Sequence, residues 1–255
     1  MRTNWIGFYT LFKREFLRFF KVPNNTIFPQ LISVLFYFLI FGIAIGSRIQ
    51  EVAGISYFLF IMPGLFVQLL INGSYSNPSG SLYMSRTWGS ITDVLMAPIS
   101  YTHFTFAHIF AAMLRGIFLG IGTMIIAMFF VKIAIFNVWI LLAYVLLISF
   151  LFALCGVLIG LWSKTWEQLN IFINFVVTPL TFLGGVFYTL DMVPTTIKII
   201  TQWNPIFYMI NGVRYGMLGI QDGNVYIGLI FLAIISGAMF AFVFYLIKKG
   251  YNLRT

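Results

Sequence analysis

Residues 133–163 read IAIFNVWILLAYVLLISFLFALCGVLIGLWS and contain no Asp, Glu, Lys, Arg or His. A helix of about 20 apolar residues is long enough to cross the roughly 30 Å hydrocarbon core of a bilayer. The stretch therefore predicts one complete transmembrane helix.

Four further runs lack the same five residue types. They cover residues 22–47, 52–85, 168–190 and 223–247. Only 8% of the 255 residues are charged and 61% are hydrophobic, whereas an average soluble domain carries about 25% charged residues. The composition excludes a water-soluble globular enzyme and predicts an all-α polytopic membrane protein.

The predicted topology has six transmembrane helices, with both chain termini in the cytoplasm. The predicted spans are residues 27–47, 55–76, 107–131, 138–162, 170–190 and 225–247. In this orientation ten of the 15 Lys and Arg residues lie on the cytoplasmic side, four lie outside, and Arg115 lies within a span. Cytoplasmic loops of membrane proteins are enriched in positive charge. The net charge of +9 is thus explained by loops that meet anionic lipid headgroups, and nucleic acid is not an expected partner.

Residues 1–22 predict an amphipathic helix that lies in the plane of the membrane. Its aromatic residues recur at helical spacing and are Phe8, Phe12, Phe16, Phe19 and Phe20. Its positive charges are Lys13, Arg14, Arg18 and Lys21. A basic amphipathic helix of this kind buries its apolar side at the boundary between headgroups and acyl chains.

The predicted cytoplasmic loop between spans two and three contains a short helix, within residues 83–100. Ser90 and Asp93 have the spacing of a capping box, and Pro98 ends the element. Ile91, Val94 and Leu95 would form its apolar side. Such a helix could bind a soluble partner or lie on the membrane surface, and composition favours neither reading.

Residues 191–224 are too long for a turn and too polar in parts for a complete span. Asn204-Pro205 interrupts the stretch, and Arg214 lies in its second half. Fifteen helical residues rise only about 22 Å, which is short of the hydrocarbon thickness. We therefore predict two short re-entrant helices that enter the outer leaflet and return.

The sequence contains no recognisable catalytic, cofactor-binding or metal-binding motif. No run matches the phosphate-binding pattern GxxxxGK[ST], and the single cysteine, Cys155, excludes a thiolate metal cluster. All six acidic residues fall at predicted membrane edges or in loops, which weakens the case for an ion-coupled carrier. Arg115 is the one charge well inside a predicted span; it either snorkels to the cytoplasmic interface or faces a cavity or an ion-pair partner.

Two stretches resemble the ABC-2 type permeases, the membrane subunits of bacterial ABC exporters. The first is RTWGSITDVLMAP at 86–98, in the segment that couples such permeases to their ATPase. The second begins with PLTFLGGVFY at 179–188 and continues through VP at 193–194, WNPI at 203–206 and YMINGVRYG at 208–216. One departure is Asp93, where the family more often has Glu.

The resemblance implies a homodimer in the bacterial inner membrane bound to two copies of a separate ATPase subunit, which would hold ATP and Mg. It implies that residues 86–98 contact the ATPase, through Arg86, Gly89, Asp93, Leu95 and Pro98. The interface helix would supply a second contact, through Lys13, Arg14 and Phe16. The re-entrant pair would form an extracytoplasmic gate, through Pro194, Asn204, Pro205, Asn211 and Arg214.

Within the family the chain is most similar to small permeases that export drugs, nodulation lipo-oligosaccharides and other amphipathic molecules. Export of an amphipathic or lipid-like substrate is therefore the expected function, and export of a lipid-linked polysaccharide or glycolipid is the alternative. Two readings from other classes are an ion-coupled carrier or channel, which needs no ATPase, and an intramembrane enzyme, which would need His103, His108 or Asp93 for catalysis.

Overall fold

Long helices make up most of the chain in the computed structural model, which describes residues 5–46, 48–49, 51–52 and 54–252. The α-helices of these residues are α1 Trp5–Arg18, α2 Pro23–Thr26, α3 Phe28–Tyr37, α4 Tyr57–Thr87, α5 Ile91–Met96, α6 Tyr101–Met128, α7 Val138–Trp162, α8 Trp166–Ile171, α9 Thr178–Phe182, α10 Thr195–Trp203, α11 Pro205–Leu218 and α12 Val225–Lys249. The remaining elements are 3-10 turns at Phe19–Lys21 and Leu190–Met192, π-helical segments at Phe38–Ile45 and Phe172–Val177, and an antiparallel pair of two-residue strands, β1 Glu51–Val52 and β2 Ile55–Ser56.

Five helical segments of the described chain are long and apolar enough to cross a membrane. They are Pro23–Ile45, Tyr57–Thr87, Tyr101–Met128, Val138–Trp162 and Val225–Lys249. The prediction of an all-helical polytopic membrane protein is confirmed at this level. Each of the five overlaps one of the six spans predicted from the sequence.

The predicted span 170–190 has a different form in the structure. Its helical run covers residues 166–182, which is 17 residues and therefore about 25 Å long. Pro179 has no N–H to donate, and the run contains the π-helical segment 172–177 just before it. The helix ends at Gly184-Gly185, where Gly185 has a φ of +81° that favours glycine. A sixth span of full length is therefore not confirmed.

The helix α4 forms the centre of the bundle, and 83% of its most apolar window is buried. It packs against α6 on one side and α7 on the other. A Cβ atom at Gly116 of α6 would collide with Ser74, and one at Gly156 of α7 would collide with the backbone of Tyr75. Gly116 and Gly120, and likewise Gly156 and Gly160, stand four residues apart, a spacing of small residues that predicts close packing of helices. The structure confirms this role for Gly116 and Gly156, because only glycine permits such close approach of the helices.

Two apolar clusters fill the bundle. The larger runs along α4, α7 and α11 and includes Phe60, Tyr144 and Ile210. The smaller joins Leu11 of α1 and Ile91 of α5 to the adjoining ends of α4, α6, α7 and α12. It therefore fixes α1 and α5 at the same end of the molecule, called here the α5 end.

The predicted short helices in residues 191–224 are present as α10 and α11. Asn204 separates them, and its side-chain oxygen accepts a hydrogen bond from the Ile206 N–H, which caps α11. Gly219, with a φ of +75°, ends α11. These helices lie at the opposite end of the long helices, called here the α11 end.

Candidate functional site

A groove at the α5 end combines two segments that the sequence presented separately. It has a volume of about 390 Å³, and its walls come from α1 and from the segment around α5. Its lining residues are Ile6, Gly7, Thr10, Leu11, Arg14, Asp93, Val94, Ala97, Pro98 and Ile99. Three residues predicted as contacts on separate elements thus line one groove. Arg14 lies on one wall, and Asp93 and Pro98 lie on the other.

The segment around α5 leaves large apolar side chains in the open. Met96 is 85% exposed and Trp88 is 74% exposed, while Leu95 is half-buried against the smaller apolar cluster. Ile91, which anchors the helix, is only 3% exposed. The predicted apolar side of the helix, Ile91, Val94 and Leu95, therefore packs inward, and the exposed apolar edge consists of Met96 and Trp88. Partner binding at this edge stays a prediction.

The predicted capping box is absent from the start of α5. Ser90 has helical backbone angles and its side chain makes no capping hydrogen bond, because a capping residue needs a non-helical conformation. The Thr92 hydroxyl instead donates to the Gly89 carbonyl at 2.6 Å. Gly89 has a φ of +76°, so the turn before the helix depends on this glycine.

Arg86 points away from the groove and toward α7. Its Nη1 atom donates to the carbonyls of Gly160, Leu161 and Ser163 at 3.0, 2.7 and 3.2 Å. The last carbonyls of a helix lack intrahelical partners and carry partial negative charge. Arg86 therefore joins the end of α4 to the end of α7, and its predicted contact with a partner stays a prediction.

Helix α1, which lies within the predicted amphipathic interface helix 1–22, packs on α6 and α4 through a buried carboxylate. Lys13 is exposed and Phe16 is half-buried, with its ring stacked on Phe12 at 6.0 Å between centroids. Glu15, by contrast, is 1% exposed. The sequence reasoning missed Glu15, although it is the only acidic residue among the first 50 and lies between two arginines of the helix.

Glu15 is bound from three helices. Arg14 Nη2 lies 2.8 Å from Oε1, and the Ser81 hydroxyl of α4 donates to Oε2 at 2.5 Å. Arg18 Nη1 and His108 Nε2 each lie 4.0 Å from the carboxylate. Burial acts to raise the pKa of Glu15, but His108, the Ser81 hydrogen bond and Arg14 together bring that pKa below its usual value.

Arg115 is buried, since it is only 6% exposed. Its Nη2 atom lies 3.4 Å from the Thr26 carbonyl oxygen, and its guanidinium lies 5.9 Å from the centre of the Phe19 ring. No acidic side chain in the described part of the chain pairs with it. Arg115 therefore fastens the bend after α1 to α6, and the two roles predicted for it stay predictions.

The α11 end contains a second buried polar network, centred on Arg214. This side chain is 1% exposed; it pairs with Asp222 at 3.2 Å and donates to the Gly185 carbonyl at 2.5 Å. Its guanidinium also lies 4.0 Å from the centre of the Phe60 ring on α4. Burial raises the pKa of Asp222, and the charge of Arg214 opposes this.

The other four predicted gate residues differ in how they relate to this network. Asn211 bonds to Gly223 and Asp222 at 2.9 and 2.7 Å, and Asn204 donates to Leu180 at 2.5 Å. Pro205 begins α11, while Pro194 is exposed just before α10. The structure thus brings Asn211 and Arg214 together through Asp222, and it leaves Pro194 apart.

A pocket of about 440 Å³ opens beside this network. It is lined by Leu190, Gln202, Trp203, Phe207, Tyr208, Asp222, Gly223, Asn224 and Ile227. The Trp203 ring is 84% exposed. The pocket therefore combines aromatic faces with amide and carboxylate groups.

These features define a class of protein: an all-helical membrane protein with a largely apolar groove at one end and a buried polar network at the other. The sequence profile of the ABC-2 type transporter family matches residues 7–218. The chain belongs to this family, which confirms the resemblance seen in the sequence.

Relatives of the chain include two named bacterial proteins. The inner membrane transport permease YadH of Escherichia coli (strain K12) is 36% identical over 257 aligned residues, which cover 100% of both chains. Nodulation protein J of Rhizobium meliloti (strain 1021) is 25% identical over 226 residues, covering 85% of this chain and 82% of that protein.

Proposed function

We propose that the chain is the transmembrane permease subunit of an ATP-driven exporter in the bacterial inner membrane. A separate ATPase subunit binds ATP and Mg, and the exported molecule is amphipathic or lipid-like. Membership of the ABC-2 type transporter family supports this proposal, as does similarity to a protein named as an inner membrane transport permease.

The groove between α1 and α5 is the observation that carries the proposal. Its apolar floor and its rim charges, Arg14 and Asp93, suit a protein segment with an apolar anchor and polar flanks. Met96 extends the apolar surface beyond the groove. The ATPase subunit docks here, so movement driven by ATP reaches α4 through α5 and α6 through α1.

The proposed membrane topology counts residues 166–182 as a sixth crossing. This run of 17 residues is short for a span, and a short span is accommodated by local thinning of the bilayer or by packing in an oligomer. Both termini, α1 and α5 then lie in the cytoplasm, and the α11 end lies outside, with α10 and α11 in the outer leaflet.

The proposed assembly contains two permease chains and two ATPase chains. The segment 23–45 and α12 support a second copy, because only 17% and 22% of their most apolar windows are buried within the chain. Lipid covers part of this apolar surface and the second permease covers the rest. The Arg214 network closes the outer end of each permease as part of the gate.

Export of a lipid-linked polysaccharide or glycolipid is the second candidate function. The pocket at the α11 end favours it, because Trp203 and Tyr208 offer ring faces beside the polar groups of Gln202, Asp222 and Asn224. Sugars present apolar ring faces as well as hydroxyl groups, so such a lining could hold them. Transport of a sugar-bearing lipid in preference to its sugar-free analogue would favour this candidate.

The test is to co-express the chain with its genomic neighbours, purify it in mild detergent, and measure ATPase activity and subunit stoichiometry. A two-to-two complex that hydrolyses ATP is the expected result. Met96→Glu should disrupt the complex, because it places a charge on the apolar edge of α5. Phe129→Glu is the matched control, since Phe129 is 84% exposed at the opposite end of α6.

A permease that purifies alone under all conditions, yet carries solute in vesicles when an ion gradient is applied, would overturn the proposal in favour of an ion-coupled carrier. Within a working complex, Asp93→Ala and Leu95→Ala should reduce transport per ATP hydrolysed. Unchanged ratios in both variants would remove α5 from the coupling path.

A further inference from the structure

Glu15 is the buried residue of α1 next to the groove residue Arg14. Its carboxylate binds Ser81 of α4, and α4 leads into α5, which belongs to the other wall of the groove. We infer that Glu15 is a positioning residue for ATPase coupling, which acts by holding Arg14 and α1 in place against α4. This inference rests on the proposed function, and it adds a residue that neither the sequence motifs nor the groove lining contains.

The two carboxylate oxygens of Glu15 contact different helices. Oε1 accepts hydrogen bonds from Nε and Nη2 of Arg14, at 3.1 and 2.8 Å. Oε2 accepts the hydrogen bond from Ser81 on α4. One side chain therefore fixes a groove residue of α1 and, at the same time, ties α1 to α4.

The connection to the second wall of the groove is short. Ser81 lies six residues before the end of α4 at Thr87, and α5 begins at Ile91. Arg18 adds a weak contact along the same face of α4, from Nη2 to the Met84 sulfur at 3.9 Å. The distance between the α1 and α5 walls is thus set where Glu15 meets Ser81.

Arg14 is the residue through which Glu15 acts on a partner. The Arg14 side chain is 46% exposed, whereas that of Glu15 is 2% exposed, so a docking protein can reach the guanidinium and not the carboxylate. A free arginine on a helix surface samples many rotamers, and ordering it on binding costs conformational entropy. The two hydrogen bonds that the guanidinium donates to the buried carboxylate keep it ordered in advance.

The charge of the carboxylate, and not only its shape, is needed at this position. Arg14, Arg18 and His108 all approach it within 4.0 Å. Without the negative charge, Arg14 and Arg18 would repel each other with no carboxylate between them to offset the repulsion. Glu15→Gln keeps the size of the side chain and a partner for Ser81, so it removes the charge with little change in packing.

The experiment measures the dissociation constant of the purified permease for the co-purifying ATPase subunit. Glu15→Gln and Arg14→Ala should each raise this constant by roughly tenfold, which corresponds to about 1.4 kcal/mol. The double variant should be no weaker than Arg14→Ala alone, because Glu15 acts through Arg14. Glu167→Gln is the matched control, since Glu167 is an exposed carboxylate on α8; it should leave the constant unchanged.

A purely structural role for Glu15 predicts a different pattern. Loss of stability would then add to the effect of Arg14→Ala, giving about a hundredfold change in the double variant, and this result would overturn the inference. If Glu15→Gln does not accumulate as a monodisperse protein, Ser81→Ala replaces it; that variant keeps the charge and should raise the constant by about threefold.

The result for the unmodified permease separates the two proposals. If it binds the ATPase and Glu15→Gln (or Ser81→Ala, where that variant replaces it) binds equally well, the inference about Glu15 is wrong and the proposed function stands. If it binds no ATPase, the proposed function fails, and the inference fails with it.

Discussion

Two ion pairs at the α11 end have nearly equal distances between their charged atoms but differ in burial. We predict that they also differ in their contribution to stability. Arg214 pairs with Asp222 at 3.2 Å, and their side chains are 1% and 14% exposed. Lys198 pairs with Asp191 at 3.3 Å, and their side chains are 39% and 91% exposed. Asp222→Ala and Asp191→Ala make the same chemical change in the two pairs.

The expected magnitudes follow from burial. Removing one partner of a buried pair costs about 3–5 kcal/mol, because the other charge is left without compensation. An arginine does not lose its proton in a protein, so Arg214 stays charged in the Asp222→Ala variant. Arg214 keeps its contacts with Gly185 and Phe60, so the expected loss in the free energy of unfolding is at the lower end of this range, about 3 kcal/mol. An exposed pair contributes less than about 1 kcal/mol.

The assay is thermal unfolding of the purified variants in one detergent. A change of 1 kcal/mol shifts the midpoint by about 2–4 °C for a chain of 150–250 residues. Asp222→Ala should therefore lower the midpoint by about 6–12 °C, and Asp191→Ala by no more than about 4 °C. Equal shifts in the two variants would refute the argument that burial, and not distance, decides the strength of these pairs.

Three further predictions test other parts of the structure. Arg86→Gln should speed amide exchange at the end of α7, because three carbonyls lose their donor; unchanged exchange there would contradict the proposed cap. Gly116→Val should destabilise the protein by about 1–3 kcal/mol through overpacking against α4. At Gly237 an added Cβ atom would meet no atom within 4 Å, so Gly237→Val should have little effect in the same unfolding assay. A cysteine placed at the exposed Thr196 should react with an impermeant thiol reagent added to intact spheroplasts; reaction only after permeabilisation would invert the proposed topology.

The sequence predicts the long helices well because a membrane-spanning segment must be apolar over its whole length. A run without charged residues that exceeds about 20 residues has few alternatives to a membrane-spanning helix. The rule fails for residues 170–190, where hydropathy continues but the helix does not. The helix ends at Phe182, just before a turn in which Gly185 has a positive φ, and hydropathy does not detect this turn.

The groove and the buried charges could be predicted only in part. The resemblance to ABC-2 type permeases predicts Arg14 and Asp93 as ATPase contacts on two elements, but their common groove depends on the packing of α1 beside α5. Glu15 was missed because a helical pattern assigns a charged residue to the solvated face. Its burial depends on Ser81 and His108, which lie on other helices and are far away in the sequence.

Both polar networks contact α4, and this arrangement bears on how the two ends of the molecule communicate. Ser81 binds Glu15 near one end of α4, while Phe60 lies against Arg214 near the other. The 21 intervening steps correspond to about 31 Å of helix. Pro63 and Pro78 lie inside this part of α4, and proline is where helices most often kink. Close contacts with Gly116 and Gly156 hold the stretch between the two prolines, and a closely packed interior transmits displacement rather than absorbing it. We therefore expect a shift of α4 along its axis to disturb both networks together.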